Sequence, residues 1–219
     1  MRTSGTARAA LAAVAAAVLG MLGWALWPPG TAAPEGFGDR PRAQAPAAGP
    51  SAGPAARTRP GTADQKDSGA AAEPVRIRVP RVGLTARVGP VGVEEDGTVE
   101  VPADAGSAGW YRYGPPPGAD AGSAVLVGHV DDRTGELGAF AKLYGVRSGD
   151  AVTVARRGAP AVRYEVTARE TVAKDRLPAE VFRRTGQPVL TLVTCAPPYD
   201  RERGGYQRNL VVYAVPARD

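Results

Sequence analysis

The seven residues Val189-Leu190-Thr191-Leu192-Val193-Thr194-Cys195 constrain the fold of this chain more than any other stretch. A short unbroken run of β-branched and aliphatic residues specifies a buried strand. It ends in the only cysteine of the sequence, and Ala196, Pro197 and Pro198 follow. Proline donates nothing to a ladder, so pairing is expected to stop there and leave Cys195 at the strand's end. A thiol at the end of a rigid strand is well placed for nucleophilic chemistry. A lone cysteine is also a common small core residue, and only the rest of the chain decides between the two.

From residue 73 onward the sequence breaks into short β-like runs separated by Gly, Pro and Asp. Residues 75–79 alternate as a half-buried strand should. Residues 88–93 and 98–101 flank a turn at Glu95-Asp96-Gly97. Trp110, Tyr111 and Tyr113 form an aromatic patch running into the Pro115-Pro116-Pro117-Gly118 loop, where packing is their expected role. Residues 124–129 make a fully apolar strand that ends in the only histidine, His129. One or two helical turns are expected at 139–143, a strand pair at 151–156 and 162–172, a short helix at 178–184, and a last strand at 209–215. Many short strands with few and short helices define an all-β chain and predict a closed or nearly closed barrel.

The N-terminal third reads differently. Residues 9–27 are uncharged and apolar, preceded by Arg2 and Arg8 and carrying Trp24 and Trp27 at the far end. That length approaches the ~20 residues of a bilayer-spanning helix, and the charge bias leaves residues 1–8 cytoplasmic. The alternative is a cleaved signal peptide with Thr31-Ala32-Ala33 as its cleavage site, but the run exceeds the usual apolar core of such peptides. Residues 28–72 are dominated by Ala, Gly and Pro without hydrophobic periodicity, and read as a disordered tether. The division expected is therefore a cytoplasmic end at 1–8, an anchor at 9–27, a tether at 28–72 and an extracellular domain at 73–219.

Composition narrows the chemistry. A net charge of +5 is spread over charges of mixed sign, with no basic stripe and no interleaved aromatics, so nucleic acid is not an expected partner. One cysteine excludes an intramolecular disulfide, and one histidine excludes a multi-histidine metal cage. If the strands ending at His129 and Cys195 lie side by side and parallel, the two side chains meet at one rim. Asp131 and Asp132 either orient the imidazole or form a polar turn before Arg133. Arg208 enters the last strand 13 residues after Cys195, and a hairpin of that length returns it beside the thiol. Its planar, permanently charged fork suits a carbonyl or an oxyanion. An unpaired thiol outside the membrane is a liability unless it is buried or used.

Thr191-Leu192-Val193-Thr194-Cys195 resembles the TLxTC signature of sortases, the membrane-anchored cysteine transpeptidases of Gram-positive bacteria. Gly128-His129 is similar to their histidine at the end of a barrel strand, and Arg208 to their arginine before the final strand. The resemblance covers roughly residues 75–215, and the Ala/Arg/Gly/Pro-rich composition points to an actinobacterial, class F-like member. It implies an eight-stranded sortase barrel in which Cys195 attacks an LPxTG-like sorting signal, His129 moves the protons and Arg208 holds the substrate. Thr194 is a further candidate for oxyanion or substrate positioning, and residues 173–188 for a groove wall. The implied partners are the sorting signal of secreted surface proteins and an acceptor amine, such as a peptidoglycan precursor or a pilin lysine. The implied location is the cell membrane, and neither cofactor nor metal is called for. Two readings from other classes stay open: a hydrolytic cell-wall cysteine peptidase, and a non-catalytic envelope binding module on the same fold.

Overall fold

The parallel pairing expected for the histidine- and cysteine-bearing strands is present. Strand β4, Ser123–Gly128, lies beside β7, Val189–Asp200, with Ser123 opposite Val189 and Val127 opposite Val193. The structure, a computed structural model, describes residues 32–41 and 72–218. Around that central pair the other strands are β1 (Pro74–Val79), β2 (Leu84–Val91), β3 (Ala108–Tyr111), β5 (Ala151–Arg156), β6 (Ala159–Ala173) and β8 (Gly205–Pro216). Among the described residues these eight close into a barrel in the order β1-β2-β3-β4-β7-β8-β6-β5, and β5 returns to β1. Closure removes the open edges that a sheet this apolar would otherwise present.

Alternation sorts the side chains. Leu190, Leu192, Leu210, Val212, Ala124 and Leu126 fill the barrel together with Ile77, Val79, Val152, Val154 and Phe140. The intervening Val125, Val127, Val189, Val193 and Val211 face outward and are covered by Val181 and Phe182. Those two lie in the short 3₁₀ turn Ala179–Phe182, which replaces the helix expected at 178–184. β4 is thus buried on both faces, which accounts for its unbroken apolar sequence. Deep between β4 and β7 the Ser123 and Thr191 hydroxyls share a hydrogen bond of 2.8 Å, so two buried polar groups satisfy each other.

Three local expectations need correction. Residues 98–101 form no strand, and only an isolated bridge joins Val93 to Val99. Trp110 and Tyr111 belong to strand β3, which runs parallel to β2. β7 does not end at the prolines, because pairing resumes at Tyr199 opposite Tyr206 and Asp200 opposite Gly205. The register shifts between Ala196 and Tyr199, so Pro197 and Pro198 occupy an irregularity where no ladder donor is required.

Residues 32–41, read from sequence as part of the tether, lie against β6. The Phe37 and Arg169 backbones exchange two hydrogen bonds of 2.9 Å, filling an edge that β5 leaves open beyond its Ala151–Glu165 pairing. The approach is close: a Cβ on Gly36 would stand 2.9 Å from the Arg169 carbonyl oxygen, and one on Gly38 would meet that of Thr167 at 2.1 Å. The Phe37 ring packs against the core with the Arg169 guanidinium 5.0 Å from its centroid. Arg169, itself 9% exposed, donates to the carbonyls of Glu35, Tyr144 and Val146. Arg40 grips Glu170 through both carboxylate oxygens at 2.8 and 2.7 Å, and Tyr213 donates to the same carboxylate. The remainder of the expected tether, and residues 9–27, lie outside the described residues. Among the described residues no helix is long and apolar enough to cross a membrane.

Removing this strap leaves Arg169 without one acceptor and without the ring that covers it. A form lacking residues 1–71 is therefore expected to melt below one lacking only 1–31. Phe37→Ala in the longer form should cost about 2 kcal/mol, below the ~3–5 kcal/mol of a fully buried phenylalanine because the ring is only half-buried. Thermal and urea unfolding measure both, and equal stabilities would show that the strap contributes nothing.

Candidate active site

Cys195 and His129 reach the same rim for one reason. Val127 pairs with Val193 in parallel, and two residues further along each strand stand His129 and Cys195. His129 stands one residue past the end of β4, and Cys195 packs against the core inside the barrel, so both lie at the same end of the ladder. They line a single open cavity of about 860 Å³, together with Val101, Asp131, Lys174, Tyr199 and Tyr206.

The histidine is held through its backbone and its ring. Its carbonyl accepts the Phe140 N–H at 3.1 Å, which packs the 3₁₀ segment Ala139–Gly145 under the end of β4. Phe140 is fully buried against Gly128, where any Cβ would stand 2.7 Å from the ring. The Gly128-His129 pair therefore combines a residue small enough to admit Phe140 with the candidate imidazole. Nε2 lies 2.9 Å from the Pro102 carbonyl oxygen. A carbonyl only accepts, so Nε2 carries a hydrogen and Nδ1 is the position that gains or releases the second proton.

The cysteine is fixed by the same segment. Tyr144, at its far end, donates its hydroxyl to the Cys195 carbonyl at 2.8 Å. The Tyr144 backbone carbonyl in turn accepts from Arg169, which links the cysteine backbone to the strap. Burial pushes the thiol above its ordinary range; the Lys174 ammonium opposes this and the Asp131 carboxylate adds to it. At neutral pH Cys195 is therefore a thiol.

Other candidate residues fall in different places. Arg208 is exposed and does not line the cavity. It pairs with Ala196 on one side and Ala173 on the other, while Asn209 stands opposite Cys195. Arg208 is thus one register step from the cysteine, with the parity of Leu210. Thr194 is 3% exposed, and its Oγ1 has no hydrogen-bond partner among the described residues. Asp132 closes a turn, accepting from the Thr134 N–H and hydroxyl and from the Glu136 N–H. Asp131 accepts the Tyr206 hydroxyl at 2.6 Å. Of residues 173–188, Lys174 alone lines the cavity, while Val181 and Phe182 cover the outer face of the sheet.

Tyr144 and Tyr206 were not singled out from sequence. Tyr144 sits one residue beyond the helical turns expected at 139–143. Tyr206 opens the segment that carries Arg208, and its position across from Tyr199 depends on pairing resuming past the prolines. Among the described residues no group of three or more His, Cys, Asp or Glu side chains is arranged to ligate a metal ion.

A raised thiol has a direct kinetic consequence. The thiolate is the reacting form, so alkylation of Cys195 by a neutral reagent should keep accelerating through about pH 8, near the ordinary thiol range. A rate that has already levelled off by about pH 6, as in a preformed ion pair, would contradict this.

Comparison with known proteins agrees with this geometry. The family model described as a sortase domain matches residues 77–217. No curated protein sequence matches the chain. Among solved structures, sortase C1 from Streptococcus agalactiae is similar with a TM-score of 0.51 and 24% identity, covering 66% of this chain and 67% of that one. A pilus island 1 sortase C2 from Group B Streptococcus gives a TM-score of 0.51 at 22% identity, covering 65% and 73%. Sortase A from Corynebacterium diphtheriae gives 0.50 at 18% identity, covering 68% and 62%. At these identities the structural likeness establishes the fold, and the family match spans nearly the whole barrel. This chain belongs to the sortase family, the cysteine transpeptidases of cell-wall sorting.

Proposed function

We propose that the protein cleaves an LPxTG-like sorting signal through a thioester on Cys195 and passes the acyl group to an amine of the cell wall or of a pilin. The observation that carries this reading is the meeting of His129 and Cys195 on adjacent parallel strands at one open cavity.

In this reading the thiol gives its proton to His129 Nδ1 as the sulfur attacks the scissile carbonyl. The imidazolium then protonates the departing amine, and the acyl group remains on sulfur. Pro102, by accepting from Nε2, keeps the ring oriented through both transfers. Tyr144 holds the Cys195 backbone while the sulfur changes charge. Arg208 is assigned the substrate carbonyl for its planar cationic fork; it pairs with Ala196 next to the cysteine and stands outside the cavity, so its side chain has to swing toward the bound peptide. Thr194, whose buried Oγ1 has no hydrogen-bond partner among the described residues, is the further positioning candidate next to the nucleophile. Residues 9–27 anchor the domain outside the cell membrane, and the composition of the chain favours a class F-like member.

Mass spectrometry of the protein incubated with a small library of sorting-signal peptides and candidate amines tests the reading. The expected products are a peptide acyl adduct on Cys195 and, with an amine present, a transpeptidated peptide. Cleavage that never incorporates an amine would instead identify a peptidase, and no adduct and no cleavage a binding module. Cys195→Ala should abolish both products. Arg208→Lys keeps the charge but loses the planar fork, and should lower kcat/KM by more than ~10²-fold. A lysine variant with unchanged kinetics would remove Arg208 from the reaction.

A further inference from the structure

The cavity holds a carboxylate that the first half of this reaction does not use. Asp131 is half-buried, and its Oδ2 accepts the Tyr206 hydroxyl at 2.6 Å. Its neighbour Asp132 is consumed by the turn it closes, whereas Asp131 has no cationic partner within ion-pair distance among the described residues. Arg133 and Lys174 line the same cavity, but both are exposed to solvent. A negative charge beside a thiol works against forming the thiolate, so its position hinders the attack on the peptide. The first half of the reaction therefore gives this carboxylate no role.

The second half of the cycle supplies one. The acceptor amine arrives as an ammonium, and the cavity offers it a carboxylate fixed by the Tyr206 hydroxyl, with Tyr199 lining the same cavity. Tyr199 is 62% exposed and packs edge-on to Tyr206 at 5.1 Å, presenting aromatic surface that favours a cation. We propose that Asp131, held in place by the Tyr206 hydroxyl, is the binding group for the ammonium of the incoming acceptor beside the Cys195 thioester. This rests on the thioester reading above and names the residue that selects its second substrate.

The step balances. The bound ammonium releases one proton to water, and its nitrogen forms the new C–N bond with the thioester carbonyl carbon. The C–S bond breaks, and the second proton passes through His129 to the departing sulfur. Thioester and ammonium thus give amide, free thiol and one proton.

Competition between two nucleophiles isolates Asp131 from the acylation step. Ethylamine is cationic at neutral pH, whereas hydroxylamine is neutral and has nothing to gain from a carboxylate. With the full chain and a sorting-signal peptide, the ratio of transfer to ethylamine over transfer to hydroxylamine is measured for each variant. Asp131→Asn should lower this ratio about tenfold, in line with losing one charge-assisted hydrogen bond. Asp131→Glu, which keeps the charge, should retain most of it. Tyr206→Phe, which leaves the carboxylate unfixed, should fall between them and serves if the asparagine variant does not fold. A ratio unchanged in both Asp131→Asn and Tyr206→Phe overturns the proposal. If no thioester forms in the unsubstituted protein, the reading of the reaction fails and the proposal falls with it.

Discussion

The parallel ladder between β4 and β7 is the constraint on which the site depends. It pairs Val127 with Val193, which brings His129 and Cys195, two residues further on, to the same end of the ladder. A slip of one residue would change which side chains of β4 and β7 face the core. Register is held at the far end by the Ser123–Thr191 hydrogen bond and along its length by apolar residues buried on both sides. The candidate pair is thus set at the end of the most deeply packed strands of the barrel.

Around that ladder, the segment Ala139–Gly145 connects the two functional residues from below. Phe140 packs where Gly128 leaves room and donates its N–H to His129, and Tyr144 donates its hydroxyl to Cys195. Arg169 then joins this segment to the strap at Glu35 and Phe37. Burial lowers the proton affinity of that guanidinium, and carbonyl oxygens and an aromatic face are the groups that compensate it. Support for the cysteine therefore extends to residues far upstream of the barrel in sequence.

What was legible in the sequence follows from which forces leave a periodic trace. The apolar run 189–195 and the run 124–129 announced buried strands, and the residues at their ends, His129 and Cys195, line one cavity. β3 stayed hidden because Gly109 interrupts it, and that glycine is needed where the Val91 methyls come within 2.6 Å of a would-be Cβ. The strap was hidden for the same kind of reason. Its docking depends on the absence of side chains at Gly36 and Gly38, which in an Ala/Gly/Pro-rich stretch looks like the rest of a tether. β7 was read as ending at Pro197 because the ladder argument does not foresee a shift of register that lets pairing resume. The Asp131–Tyr206 pair spans 75 residues and leaves no local signal at all.

The central claim is that His129 and Cys195 form one coupled pair at the cavity, and the sequence makes this unusually easy to observe. His129 is the only histidine, so its ring protons give an unambiguous NMR signal. Followed into alkaline pH, that signal should show an inflection as the raised Cys195 thiol ionises beside it. In Cys195→Ala that inflection should vanish. Identical titration curves for the two proteins would show that the imidazole does not sense the thiol, and would contradict the account.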